Sequence, residues 1–243
     1  MVCTIQTALV GLGKMIDFHH FTNYNRTDAE LEEALLGCIV VAGKKADVQA
    51  RKLDRVLAWG DAGSGKPPTV GARTYTPFQC IRRLIISGRL APVLLEAALG
   101  QYYRITAAFT QIVCPDKFSI VIIPRSCRLE DLEAITGIGP KTARMFLLHT
   151  RPGQRLAVLD RHVLRWMATV GEGENSPDQG QQVAFQAIQA AKPIPTATPP
   201  AGATYARLEA AYLAACDALG KDPAEYDLAL WNAKAKRYSK HDG

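Results

Sequence analysis

The sequence predicts an all-α protein, and two observations support that fold class. Apolar residues recur three and four positions apart in one segment after another, which is the pattern of helices with one buried face. Glycines, prolines and short polar stretches separate these segments. Only residues 119–123 have the β-branched composition of a strand, and they could equally form a buried irregular stretch.

The helices expected in the first half cover residues 29–41, 48–59, 77–88, 91–100 and 102–113. The first is apolar over much of its length and is expected to be buried, with Asp28 as its cap. The first two form a helical hairpin whose turn carries Lys44 and Lys45. These lysines are candidates for contact with a DNA backbone, and a solvated turn is an equally good interpretation.

Residues 60–66 satisfy the spacing of a nucleotide-binding loop, but their context argues against one. Pro67 stands where a Mg²⁺-binding Ser or Thr is required, and Pro68 follows it, so no helix begins there. The preceding segment is helical rather than a strand. Residues 60–76 are therefore expected to form a surface loop.

The helices expected in the second half cover residues 129–135, a segment beginning at Pro140, a segment beginning after Asp160, and residues 183–191, 204–219 and 224–235. Ser126 is the expected cap of the first of these. Residues 192–203 read as a proline-rich linker.

Composition excludes several classes of protein. The chain has 243 residues, which is enough for a sizeable core, and no apolar run approaches the length of about 20 residues that spans a membrane. No secretory signal precedes the first helices, so a cytoplasmic location is expected. The net charge of +6 fits a nucleic-acid partner without proving one. The six cysteines occur singly, so neither zinc nor an iron–sulfur cluster is expected, and buried thiols are.

Residues 132–166 hold the strongest candidate site. The turn Gly137-Ile138-Gly139 exposes backbone N–H groups at the start of a helix, which is a ready site for an anion such as a DNA phosphate. Lys141 lies in the first turn of that helix, where the helix dipole and partial burial favour the neutral, nucleophilic amine. Asp160 is an expected helix cap, and its carboxylate can also stabilise a developing cation or accept a proton.

The segments ITGIGPKTA (135–143) and VLDRHV (158–163) resemble the signature of the helix-hairpin-helix DNA glycosylases, the superfamily that includes endonuclease III and the 8-oxoguanine glycosylases. The resemblance implies a single two-lobed all-α unit over residues 1–243 with its active site in the cleft between the lobes. Lobe A would comprise about 1–76 and 183–243. Lobe B would comprise about 77–182, including the helix-hairpin-helix at 129–150.

The resemblance also implies roles for individual residues. Gly137, Gly139 and Thr142 match the part of the hairpin that holds a DNA phosphate, where relatives often bind a monovalent cation through backbone carbonyls. Lys141 matches the nucleophile of the bifunctional members, and Asp160 matches the family aspartate. A flipped nucleotide would be attacked at C1′ by Lys141, and the resulting Schiff base would permit β-elimination and strand nicking.

Departures from the family pattern narrow the assignment. Only Cys216 lies beyond the motif, so the iron–sulfur branch is disfavoured and an 8-oxoguanine-type member is favoured. In such members a residue one turn after the lysine and an aromatic on the C-terminal helix enclose the base. Those places suggest Met145 and Trp231, with Asp227 one turn before the tryptophan. A core position is the even alternative for Trp231.

The prediction from sequence is therefore a monomeric glycosylase and abasic-site lyase that excises a damaged base, 8-oxoguanine first, from double-stranded DNA without a resident metal or cofactor. One alternative keeps the chemistry and changes the base to an oxidised pyrimidine, an alkylated base or a modified base of phage DNA. Another is a DNA-binding hairpin without catalysis, which would need the glycines but neither Lys141 nor Asp160.

Overall fold

The computed structural model describes residues 15–63, 73–114, 121–170 and 178–238, except for the side chains of the last five. These residues form α-helices and one short 3₁₀ helix, and none of them forms a strand, which confirms the all-α prediction for this part of the chain. Residues 121–123 are irregular, whereas 119 and 120 lie outside the described residues. No described helix is long and apolar enough to cross a membrane.

The elements follow in chain order. They are the 3₁₀ helix Phe18–His20, α1 (Asp28–Val40), α2 (Ala46–Ala62), α3 (Pro77–Ile86), α4 (Leu90–Glu96), α5 (Tyr102–Val113), α6 (Leu129–Glu133), α7 (Pro140–Thr150), α8 (Arg161–Thr169), α9 (Gln179–Ala190), α10 (Ala203–Ala218) and α11 (Pro223–Tyr238).

Two predicted helix caps were wrong by one or two residues. Thr27, not Asp28, caps α1: its hydroxyl accepts from the backbone N–H of Glu30, and the Glu30 carboxylate accepts from the N–H of Thr27. Arg128, not Ser126, is the N-cap residue of α6, and its backbone N–H donates to the Asp131 carboxylate at 2.7 Å. In both cases a carboxylate on the third helical residue accepts from the backbone N–H of the N-cap residue, and at Thr27 the bond is reciprocal.

Helix α2 extends to Ala62, so residues 60–62 are helical although a loop was predicted from Gly60 onward. Gly60 is buried against α3, and a side chain there would collide with the backbone carbonyl of Cys80. This glycine therefore serves close helix packing. Residues 64–66 of the rejected nucleotide-binding pattern lie outside the described residues.

The described chain divides into two compact units. One holds residues 15–17 and 27–137, and the other holds residues 18–26 and 138–238. The predicted lobe bounds near residues 76 and 182 do not coincide with this division. The difference arises because α1 and α2 pack on α3 and α5, which places helices from both predicted lobes in one unit.

In the unit of residues 27–137, α1 is the central helix and carries fully buried side chains such as Leu35 and Ile39. The unit also encloses charge. Arg73 donates to both the Glu33 carboxylate of α1 and the Asp54 carboxylate of α2, the latter at 2.8 Å. Burial raises the pKa of Glu33 to about 7, although the adjacent guanidinium opposes that rise.

In the other unit, α8 to α11 share a core that includes the aromatic residues Tyr205 and Tyr212. Residues 18–26 precede α1 in the chain but belong to this second unit. The five described cysteines are buried reduced thiols, as predicted, and Cys3 lies outside the described residues.

Glu33→Gln is expected to gain stability relative to the wild type as pH rises from about 4.5 to about 7. A carboxyl whose pKa is raised by folding stabilises the fold fully below its unfolded pKa of 4.5, and that contribution is lost as pH rises through the folded value near 7. The difference should amount to about 3 kcal/mol. Denaturant unfolding at several pH values measures it, with exposed Glu96→Gln as the matched control. A difference independent of pH would contradict this assignment.

Candidate active site

Lys141 is the second residue of α7, directly after Pro140, and its side chain is half-buried. Pro140 occupies the first helical position, as predicted, where its missing N–H breaks no helical hydrogen bond. The local sequence therefore places the lysine amine at the positive end of the α7 dipole.

Gly137 needs to be glycine for two reasons. Its φ is +94°, a conformation that other residues rarely adopt, and an added Cβ would lie 2.8 Å from both Cγ and the backbone oxygen of Arg104. Arg104 of α5 also donates to the Gly137 carbonyl at 2.8 Å, to the Ile39 carbonyl at 2.6 Å and to the Gln101 side chain at 2.6 Å. One guanidinium thus fastens this glycine to the end of α1.

Gly139 is the N-cap residue of α7, and it differs from Gly137 in its backbone conformation and in the space around it. Its φ is −93°, and an added Cβ would meet no atom within 4 Å. Having no side chain, it cannot cap the first N–H groups of the helix, which belong to Lys141 and Thr142 because Pro140 has none. The exposed helix start therefore offers backbone donors to an anion.

Asp160 caps α8, as predicted. Its Oδ1 accepts from the backbone N–H groups of His162 at 2.7 Å and Val163 at 3.0 Å. Since Oδ1 makes both bonds, the second carboxylate oxygen is not required for capping. The side chain can therefore serve the fold and chemistry together.

The segment that leads to Asp160 is held by α10. The Tyr205 hydroxyl donates to the Ala157 carbonyl at 2.8 Å and accepts from the Leu159 N–H at 3.2 Å, while Glu209 accepts from the Ala157 N–H at 2.8 Å. Burial raises the pKa of Tyr205 well above its usual range, so the phenol stays neutral and can donate a hydrogen bond.

Arg144 of α7 pairs with the same Glu209. The guanidinium donates to both carboxylate oxygens, at 2.8 and 3.2 Å, and stacks over the Tyr205 ring at 4.3 Å. Lys141 lies one turn before Arg144 on α7. The pair therefore links the helix that carries the lysine to the segment that carries Asp160.

Asp227 of α11 is the third acidic group of this region. It is buried, and its Oδ2 lies at a hydrogen-bond distance of 3.0 Å from His149 Nε2. Burial raises the pKa of Asp227 above its usual range; the hydrogen bond with His149 and the charge of Lys141 oppose that rise, and the charge of Asp160 adds to it. Lys141 of α7, Asp160 at the start of α8 and Asp227 of α11 thus belong to one unit, and the charges of the first two affect the pKa of the third.

His162 lies beside this group. Burial lowers its pKa, Asp160 opposes that effect, and nearby cations including Lys141 add to it. Its Nδ1 is buried and makes no hydrogen bond with the described residues.

Two residues expected to enclose a base lie in the same unit. Met145 is half-buried and packs against Leu148, Val158 and Ala224. Trp231 is half-buried on α11, one turn after Asp227, and its ring lies 4.9 Å from that of His19. Trp231 is therefore not a fully buried core residue.

The remaining predicted contacts differ in exposure. Lys44 and Lys45 are exposed at the turn between α1 and α2, and Lys45 is the N-cap residue of α2. Thr142 is buried, with 6% of its surface exposed, so only its backbone N–H is suited to an anion at the helix start.

His149, Arg104, Arg144 and Glu209 were not predicted from the sequence. A signal for His149 existed, because Lys141, Met145 and His149 recur every four residues and so lie near one face of α7. The bonds of Arg104 to Gly137 and of Arg144 to Glu209 join residues 33 and 65 positions apart, and no local pattern indicates them. No cluster of three or more His, Cys, Asp or Glu side chains that could hold a metal ion occurs among the residues described.

A scan against protein-family models, a search of curated proteins and a search of solved structures found no match to this chain.

Gly137→Ala is expected to destabilise the protein by about 1–3 kcal/mol, because alanine is strained at this φ and displaces Arg104. Gly139→Ala is the matched control and should cost less than about 1 kcal/mol, since it has space and an ordinary φ. Denaturant unfolding of both variants measures the difference. Equal losses would contradict the distinct roles of the two glycines.

Proposed function

We propose that this protein is a DNA glycosylase and abasic-site lyase with Lys141 as the nucleophile. The observation that supports the proposal best is the convergence of Lys141, Asp160 and the buried Asp227 in one unit. A hairpin that only binds DNA needs backbone donors and gains nothing from a buried carboxylate in the unit that carries its lysine, since burying that charge costs stability.

Lys141 would attack C1′ of a nucleotide flipped out of the duplex. The bond between C1′ and the base breaks as the Nζ–C1′ bond forms, and the base leaves with a proton. Opening of the sugar ring then gives a Schiff base. Loss of a C2′ proton expels the 3′ phosphate by β-elimination and nicks the strand.

Asp160 would stabilise the positive charge that develops on the sugar and accept a proton from Lys141. Its position is well defined, because capping bonds hold one carboxylate oxygen and α10 holds the preceding residues. A preorganised charge of this kind stabilises a transition state without reorganisation during the reaction.

The phosphate contacts proposed for Gly137, Gly139 and Thr142 would use backbone N–H groups. Gly139 fits this role best, because it is exposed and has open space around it. The exposed Lys44 and Lys45 are proposed as further contacts to the DNA backbone.

For the base we propose 8-oxoguanine, with Met145, Asp227 and Trp231 around it, in the two-lobed helix-hairpin-helix fold that the sequence motif implies. A thioether and an indole offer apolar faces for stacking, and a carboxylate accepts hydrogen bonds from N–H groups on the edge of a base. Asp227 is held in place by His149, which suits a residue that reads a fixed edge.

Borohydride reduction of the wild-type protein with duplexes that carry 8-oxoguanine, other lesions or an abasic site should trap a covalent protein–DNA adduct. Lys141→Gln should abolish the adduct, because glutamine cannot form a Schiff base. Lys221→Gln, an exposed lysine of the same unit, is the control and should trap normally. Absence of a wild-type adduct with the abasic duplex would refute the lyase proposal, and the lesion that traps best identifies the base.

Asp160→Asn should slow base release by more than about 10²-fold, because the amide keeps the helix cap but removes the charge and the proton acceptor. Asp178→Asn is the matched control: Asp178 caps α9 with a bond of 2.7 Å from Gln181 and lies outside the site. Single-turnover rates of base release measure the effect. A loss in Asp160→Asn no larger than that of the control would reduce Asp160 to a cap.

A further inference from the structure

His149 is a buried, titratable side chain that takes no direct part in the reaction outlined above. It lies in the last turn of α7, two turns after Lys141, and only 2% of its surface is exposed. A buried histidine needs a partner for each ring nitrogen, because an unsatisfied polar atom in the interior costs about 1–3 kcal/mol. The identity of those partners indicates what the ring does.

Both nitrogens of His149 have a partner. Nδ1 lies 2.8 Å from the Thr22 hydroxyl, and Nε2 lies 3.0 Å from Oδ2 of Asp227. When Asp227 is ionised its carboxylate only accepts, and Nε2 then carries the hydrogen in that bond. A neutral ring then accepts the Thr22 hydroxyl at Nδ1, whereas a charged ring donates to its oxygen. In either state Thr22 keeps the Nε2–H directed at Asp227.

Thr22 is itself held in place. The backbone N–H of Asn23 donates to the His149 carbonyl at 3.0 Å, and Arg26 donates to the same carbonyl at 3.2 Å. Arg26 also donates to the Phe21 carbonyl at 2.6 Å, and the Phe21 ring lies 5.6 Å from the imidazole. Residues 18–26 thus fasten to the end of α7, which explains why they belong to this unit.

The helices packed against α11 bring further titratable groups toward Asp227. Lys141 and His149 come from α7, Asp160 from the start of α8, and Tyr205 and Tyr212 from α10, while the 3₁₀ helix contributes His19 near Trp231. Both tyrosines stay neutral, because burial raises the pKa of each. The hydrogen bond from His149 is the direct contact that favours the ionised carboxylate.

We infer that His149 and Thr22 are positioning residues of the site: the Thr22–His149–Asp227 chain of hydrogen bonds favours the ionised form of the Asp227 carboxylate and holds it in one orientation in the unit that carries Lys141 and Asp160. The catalytic consequence rests on the proposed glycosylase function. This chain of hydrogen bonds sets the lower pH limit of the reaction. When Asp227 is protonated, it has no negative charge to act on Lys141, and its carboxyl group no longer accepts hydrogen bonds through both oxygens.

Thr22→Val tests this inference, because valine keeps the shape of threonine and removes the partner of Nδ1. The ring can then carry its hydrogen on Nδ1 and present a lone pair to Asp227, which disfavours the carboxylate. The titration midpoint of Asp227 should rise by about half a pH unit or more relative to the wild type. The conservative Thr22→Ser should restore it, and Thr169→Val, at an exposed threonine of α8, is the control.

NMR of the side-chain carboxyl ¹³C, in the full chain labelled at aspartate, measures this midpoint without any DNA. The Asp227 signal is identified by its loss in Asp227→Asn. A higher midpoint in Thr22→Val than in Thr22→Ser supports the inference. Equal midpoints in the wild type, Thr22→Val and Thr22→Ser overturn it. Because the substitution site is a half-buried threonine rather than the buried histidine, the test does not depend on whether a histidine variant folds.

The pH dependence of adduct formation with an abasic duplex then tests the catalytic consequence. The acidic limb for Thr22→Val should move to higher pH by the same amount as the NMR midpoint, with the rates converging at higher pH. His149→Gln, which retains a donor near the Nε2 position, should shift less than His149→Leu. An unmoved limb overturns the catalytic consequence, whereas a wild type that forms no adduct refutes the proposed function and leaves the NMR result intact.

Discussion

The arrangement of the second unit depends on the ion pair between Arg144 and Glu209. Both side chains are nearly buried, so desolvation of the two charges is costly. Two hydrogen bonds between them offset that cost, and they depend on this geometry. Glu209 also accepts from the Ala157 N–H, so one carboxylate holds α7 and the segment before Asp160 at once. Loss of either partner would leave a buried charge alone and release Lys141 and Asp160 from their common support.

Local physical rules predicted most of the secondary structure. Every described α-helix corresponds to a predicted one, because periodicity, prolines at helix starts and polar caps act over a few residues. The errors lie at helix ends. Thr27 replaces Asp28 as a cap, and α9 begins at Gln179 because Asp178 caps it, four residues before the predicted start. The bounds of the two units were not anticipated, since they depend on packing between distant segments and place residues 18–26 with α7.

The candidate site shows the same contrast. A short motif was enough to single out Lys141 and Asp160, and the cap formed by Asp160 was predicted correctly. Asp227 was predicted from its spacing to Trp231, but its bond to His149 was not, because the two residues lie on different helices. Arg104 was missed as well, although it explains why Gly137 is needed. Interactions between distant segments produce no local pattern in the sequence, so they could not be predicted from it.

The central claim is that the amine of Lys141 forms the covalent bond to the sugar. Tandem mass spectrometry of the borohydride-reduced adduct, after digestion of protein and DNA, identifies the modified residue directly. The account predicts a single deoxyribose-derived mass on Lys141 in the peptide that spans the start of α7. Modification of another amine, such as Lys44 or Lys45, in place of Lys141 would contradict it.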